Sequence, residues 1–281
     1  MNTRIIIDST ADSIAAVREK CTVVPLTVRF GDTEYIDGVT ITHGQFYEKL
    51  VESDVLPTTS QPTPDAFAQA YQAAVDAGQD VVVLTISSKL SGTFQSASIA
   101  AMDFPGQVYV VDSQTATIGT GILAELALEL AESGMSAQDI AEKLTEEREN
   151  VCLVAMLDTL EYLKKGGRIS KTVAFAGELL SIKPVISVQD GEIHMLGKAR
   201  GSRQGNNLLV KQIEAAGGVD FSKPLLLGYS GLSDILLQKY IADSAALWEG
   251  NASQLHCTPI GSVIGTHAGP GAVAAAFFKK S

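Results

Sequence analysis

The chain has 281 residues, 46% of them hydrophobic and 19% charged, so it carries enough apolar material for one large core or two modest ones and is not a disordered chain. Its net charge of −11 argues against a nucleic-acid partner, which would need clustered cations to neutralise phosphate. No apolar run reaches membrane-spanning length, and the start offers only Ile5-Ile6-Ile7 before Asp8, too short for a secretory leader, so a cytoplasmic location is expected. Cys21, Cys152 and Cys257 are odd in number, far apart and without metal-ligand spacing; reduced, mostly buried thiols and no bound metal are expected.

The first half alternates short apolar strands with amphipathic helices. Arg4–Asp8 reads as a strand ending in the turn Asp8-Ser9-Thr10-Ala11-Asp12, followed by a helix around 13–20. Thr22–Phe30 is strand-like, with Pro25 pointing to a sheet edge. Helices are expected over 43–52 and 64–77, the second with Thr63 as N-cap and Pro64 at its first position. Asp80–Ile86 is a continuous apolar run, as in a strand covered on both faces, and a helix capped by Ser91 follows it. A strand over 107–112 and helices over 117–133 and 137–150 complete a largely parallel α/β sheet flanked by helices.

The second half opens with a strand over 151–157 and a short helix over 159–165, broken by Gly166-Gly167. Residues 171–182 read as an apolar helix stopped by Lys183-Pro184. Gln189-Asp190-Gly191 between two apolar runs predicts a hairpin. A helix (201–216), a strand (224–229), a helix (234–248) and a strand (262–265) come next; the tail 272–278 is too uniform for periodicity to separate strand from helix. Residues 1–150 carry −14 and residues 151–281 carry +3, with eight bases against three acids in 164–203. Charge and pattern together divide the chain into an α/β domain over 1–155 and an α/β domain with a mixed sheet over 156–281.

Two hydroxyl-rich segments, Thr58-Thr59-Ser60-Gln61-Pro62 and Leu90-Ser91-Gly92-Thr93, fall where helices begin, and there free backbone N–H groups and the helix dipole favour an anion. Either one could also be an ordinary cap or polar turn. His267, in Gly265-Thr266-His267-Ala268-Gly269-Pro270-Gly271 just past an apolar strand, has room to point into a cleft. Asp8, Asp12 and Asp112 stand near strand ends, where paired carboxylates could hold a metal or serve as acid and base; Asp8-Ser9-Thr10 and Asp112-Ser113 read in preference as strand-end turns making Asx-type bonds. Gly167–Thr172 lacks the second glycine of a P-loop, and Gly119-Thr120-Gly121-Ile122-Leu123-Ala124 fits a dinucleotide fingerprint only inside a helix, where close packing accounts for it better.

In order and spacing, the segments 8–12, 58–62, 90–97, 166–170 and 265–271 resemble the DegV family nearly end to end. The resemblance implies a protein that binds a long-chain fatty acid between its two domains and presents it, without turnover of its own and without a cofactor, to a separate ATP-dependent fatty acid kinase catalytic subunit that makes acyl phosphate. It implies that Thr59, Ser91 and His267 hold the carboxylate, with Ser60, Gly92 and Thr93 as neighbours, and that Arg168 lies where the kinase approaches. It also leaves room for transient membrane contact. Ala268 departs from commoner versions, which often carry a second hydroxyl there. The alternative from another class is a hydrolase with Ser91 as nucleophile and His267 as base. A small-molecule kinase or phosphatase using the helix-start anion sites is a further one.

Overall fold

Why the first strand sits where it does is plain from its residues. Ile5, Ile6 and Ile7 are at most 1% exposed, so both faces of β1 (Thr3–Asp8) need cover. They get it in a four-stranded parallel sheet of order β2-β1-β6-β7, with β2 (Thr22–Val24) at one edge, β6 (Asp80–Thr85) inside and β7 (Val108–Asp112) at the other edge. The structure is a computed structural model that describes residues 2–169 and 182–280. The strand expected over 22–30 is split: Pro25 lies between β2 and a separate strand, β3 (Thr27–Phe30). That strand pairs antiparallel with β4 (Thr33–Ile36) and with β5 (Thr58–Ser60) in a small sheet of its own. Residues 58–60 are therefore a strand and not the start of a helix. Hydroxyl side chains hid their extended backbone.

Helices close over the first sheet. After the short α1 (Ala15–Arg18) come α2 (His43–Glu52), with a capping box between Thr42 and Gln45, and α3 (Pro64–Asp76), capped by Thr63 as expected. Then follow α4 (Thr93–Ala101), α5 (Ile118–Glu132) and α6 (Ala137–Glu147). Ten residues of α5 are buried, which marks a helix covered nearly all round. Its glycines make that possible: a Cβ on Gly121 would overlap the Asp12 backbone carbonyl, and one on Gly119 the Thr115 side chain. The fingerprint-like glycines are packing residues.

The second sheet has six strands in the order β10-β9-β8-β13-β11-β12. These are β8 (Val151–Met156), β9 (Ile182–Gln189), β10 (Glu192–Arg200), β11 (Leu226–Tyr229), β12 (His256–Pro259) and β13 (Val273–Phe278). All neighbours are antiparallel except β11 and β12, so the sheet is mixed. The chain changes sheets at Val151, and the division expected at 155/156 falls inside β8. The β9–β10 hairpin turns on Asp190 (φ 49°) and Gly191 (φ 81°), the paired left-handed conformations of a type I′ turn. The outer face carries α8 (Gly201–Ala215) and α9 (Ile235–Asp243); α7 (Glu161–Lys165) and α10 (Ser262–Ala268) lie at the other face.

Residues 262–265, expected as a strand, open α10; the seven-residue helix is too short for its period to stand out between glycines. The tail is the central strand β13, every residue of it buried. The apolar helix expected over 171–182 lies outside the described residues except for Ile182, which begins β9. One core cluster runs from Ile5 and Ile7 through Ile118 and Ile122 to Leu153, Ile186 and Ala274, so the two sheets share a core through α5. Among the described residues no helix is long and apolar enough to cross a membrane. Cys257 is exposed and Cys21 and Cys152 are half-buried, all three free, so the expectation of mostly buried thiols fails for Cys257.

Candidate functional site

Between the sheets lies a cavity lined mostly by aliphatic side chains with a few polar groups, the composition common to small-ligand sites. Leu153 and Ala155 of β8 and Leu157 just past its end alternate toward it, and Ile186 and Val188 of β9, Ile193 of β10, and Ala272 and Ala274 near β13 continue the aliphatic wall. Ile86, Leu90, Ala116 and Thr117 close it from the first sheet, and Val263, Ile264, His267 and Ala268 from α10. Its few polar side chains include Thr59, Ser91, Arg168 and His267.

Each of these is placed by local structure. Thr59 pairs with Val28 in the small sheet, which turns its side chain inward while exposed Ser60 faces away; Ser60 does not line the cavity. Thr59 Oγ1 lies 3.0 Å from His267 Nε2. His267 rides near the end of α10, and its ring is held close to the chain at Gly166, where a Cβ would overlap Nδ1. Nδ1 has no hydrogen-bond partner among the described residues. Burial, helped by the neighbouring Arg168 charge, pushes the imidazole down to about 4, so it is neutral at physiological pH.

Ser91 precedes α4 but does not cap it in the expected way. The N-cap position is Gly92, which makes no side-chain cap bond; the Thr93 amide donates to Ser91 Oγ at 3.3 Å, and Ser91 Oγ and Thr93 Oγ1 are 2.9 Å apart. If Thr93 donates in that pair, the Ser91 proton is free for an anion. Thr93 itself is fully buried. Gly92 is there for close approach: a Cβ would strike the Gln61 side chain, whose Nε2 donates to Ser96 Oγ at 2.9 Å. Gln61 thus locks the Thr59 strand to the Ser91 turn, a link that its place in a polar run gave no means of predicting.

Arg168, expected at a partner surface, is half-buried in the cavity wall. Its Nε donates to the Leu90 carbonyl at 3.2 Å and its Nη1 to the Gly166 carbonyl at 2.6 Å, joining the Ser91 turn to the His267 side of the site. Burial lowers its proton affinity from the ordinary guanidinium value. The aspartates behave as turn residues: Asp8 accepts from the Thr10 amide and hydroxyl, and Asp112 from the Ser88 and Gln114 amides. Among the described residues no cluster of three or more metal-ligating side chains occurs.

The arrangement can hold an anion with neutral donors and one nearby cation at the edge of an aliphatic chamber. It is poorly built for hydrolysis. His267 Nε2 faces Thr59, Ser91 is bonded to Thr93, and among the described residues no carboxylate orients Nδ1.

Comparisons with known proteins bear on family and fold. A "DegV domain-containing protein" of Deinococcus radiodurans is 36% identical over 284 residues, covering 98% of both chains. The solved structure of a fatty-acid-binding DegV family protein from Thermus thermophilus superposes with a TM-score of 0.87 at 34% identity, covering 99% of this chain and 100% of that one. The fatty acid kinase (Fak) B3 protein of Streptococcus pneumoniae, solved loaded with linoleic acid, shares the fold with a TM-score of 0.86 over the full length of both chains at 23% identity. The model of a family described as uncharacterised DegV proteins matches residues 2–280. Carried nearly from end to end by sequence and by fold, the likeness leaves one assignment: the chain belongs to the DegV family.

Proposed function

We propose that this protein binds a long-chain fatty acid in the chamber between its sheets and presents the carboxylate to a separate ATP-dependent kinase for conversion to acyl phosphate. The observation that carries the reading is the pairing of an aliphatic cavity between the sheets with a compact head-group site of Thr59, Ser91, His267 and Arg168. Each buried methylene is worth about 0.8 kcal/mol, so the tail dominates affinity and the polar head sets position. Hydroxyls and a neutral imidazole serve a carboxylate and the acyl phosphate made from it equally well, which suits a carrier that must accept one and release the other.

In this reading the protein has no turnover alone and needs no cofactor. Ser91 and Thr59 donate to the carboxylate, His267 is held against Thr59, and Thr93 supports Ser91. Arg168, already bonded to the carbonyls of Leu90 and Gly166, faces the charge that develops when the kinase transfers phosphate. Any contact with a membrane is transient, during loading.

The test uses the full chain with a fatty acid kinase catalytic subunit, ATP and fatty acid, trapping acyl phosphate with hydroxylamine. Ser91→Ala and Thr59→Ala should cut hydroxamate formation at least tenfold while the folded protein survives. Full activity in both variants would defeat the head-group assignment. Stable labelling of Ser91 by a fluorophosphonate would favour the hydrolase instead.

A further inference from the structure

Asp12 takes no part in the head-group site, yet its buried carboxylate connects two elements that line the cavity. Its Oδ2 accepts from Thr117 Oγ1 at 2.6 Å, and its Oδ1 from the Gly261 amide at 2.9 Å. Thr117 is a cavity-wall residue at the start of α5, held at φ 48° and ψ −126°, a conformation costly for a β-branched side chain. Gly261 immediately precedes α10, the helix that carries His267 about 9 Å further along its axis. The next amide, Ser262, donates to Asp37, as does its hydroxyl. The approach to α10 and its flank are clamped as well: Tyr47 Oη donates to the carbonyl of Ile260, two residues before the helix, at 3.1 Å, and a Cβ on Gly265 within it would overlap Tyr47 and Phe46.

We infer that Asp12 is a positioning residue for the carboxylate site, fixing α10, and with it His267, against the Thr117 wall of the acyl chamber. The inference rests on the fatty-acid reading above and adds to it a residue outside the head-group cluster. A short helix pinned at its first amide and at its flank moves as one body, so a change at Gly261 reaches the imidazole 3.0 Å from Thr59. Two features favour this role over plain structural support. A carboxylate at this buried position is disfavoured against a neutral amide of the same shape, and burial pushes its proton affinity up to about 7. Both of its oxygens also accept, each from a different element; an amide has one acceptor end and can hold both elements only if the Thr117 hydroxyl turns round to accept. Facing Asp12 are Asp37 from the segment after β4, Arg18 from α1 and Tyr47 from α2, and His43 shares the small polar recess beside it.

The test compares affinities for a fatty acid and for the fatty alcohol of equal length, whose ratio isolates the head group because the tail cancels. In Asp12→Asn the acid-to-alcohol ratio should fall about fivefold, and in Asp12→Ala about tenfold, with alcohol affinity within twofold of wild type. The His267 ring resonances should shift in both variants. An unchanged ratio in folded Asp12→Asn overturns the inference, as does an equal loss of acid and alcohol binding, which would mark general damage to the cavity. Should Asp12→Ala fail to fold, Asp12→Asn carries the test alone. A wild-type protein that binds neither ligand defeats the fatty-acid reading itself, a result distinct from a wild-type ratio that survives mutation.

Discussion

Replacing Asp12 by asparagine should make the protein more stable at pH 8 than wild type, and by more than it does at pH 5. Asp12 is 6% exposed and titrates near 7 in the folded chain, against 3.8 for the free side chain, chiefly because burial penalises its charge. A gap of about three units at 1.36 kcal/mol each sets a ceiling on the order of 4 kcal/mol. The direction follows from proton binding. Between about pH 4 and 7 the unfolded chain has already released this proton while the folded chain keeps it, so stability is full below 4 and is lost as pH rises through 7. Asparagine has no proton to lose, and its single acceptor oxygen stands in place of the two that serve Thr117 and Gly261. Other groups tilt the wild-type curve the opposite way: His267, depressed by burial, and Glu147, lowered through Lys223 and Lys143, both favour the folded state as pH rises from 4. Asp8, raised by burial, acts with Asp12. All of these are common to both proteins, so the readout is the difference between variant and wild type. Thermal unfolding followed by circular dichroism from pH 4 to 8 should show that difference growing by at least 3 °C between pH 5 and 8, given roughly 2–4 °C per kcal/mol for a chain of this size. A difference that stays flat, or that shrinks with rising pH, would refute the reasoning.

Further outcomes follow from the same geometry. Thr59→Val keeps the shape of the β5 side chain but removes the hydroxyl 3.0 Å from His267, and should weaken fatty-acid binding by about 1–2 kcal/mol, measured by calorimetry, with fatty-alcohol binding little changed. Ala155→Phe places a ring in the aliphatic wall of the chamber and should shorten the longest acyl chain accepted. In a titration series over chain length, affinity should stop rising at a shorter chain than in wild type, where a gain of roughly fourfold per methylene is expected. Gly166→Ala has an unstrained backbone but presses its methyl on His267 Nδ1, so it should reduce acyl-phosphate formation with a melting temperature within a few degrees of wild type.

Much of this was readable along the chain because local signals agreed with the global fold. Ile5–Ile7 and Val81–Leu84 could only be strands buried on both faces, Thr63-Pro64 marked a helix start, and Asp190-Gly191 a hairpin turn. What stayed hidden depends on contacts distant in sequence. Thr58–Ser60 is extended because it pairs with β3, about thirty residues earlier, and nothing in its hydroxyl-rich composition says so. His267 was picked out by its glycine setting, but those glycines serve packing: Gly265 admits Tyr47 and Phe46, and Gly269 admits Tyr162. Arg168 looked like a surface cation within a basic stretch, and only the folded chain places its guanidinium on the Leu90 and Gly166 carbonyls. The Asp12 carboxylate makes no local turn bond of the kind Asp8 and Asp112 make; its partners, the Thr117 hydroxyl and the Gly261 amide, lie more than a hundred residues away. Side-chain types announce a head-group site; the tertiary contacts that aim it do not show in local pattern.

The central claim is that the chamber between the sheets takes up a fatty acid. Native mass spectrometry of the freshly purified full chain tests it most directly: the protein should carry one added mass per chain that, released by denaturation, fragments as a long-chain carboxylic acid. A chain that arrives empty and stays empty after incubation with long-chain fatty acids, with no change in melting temperature, would contradict the account.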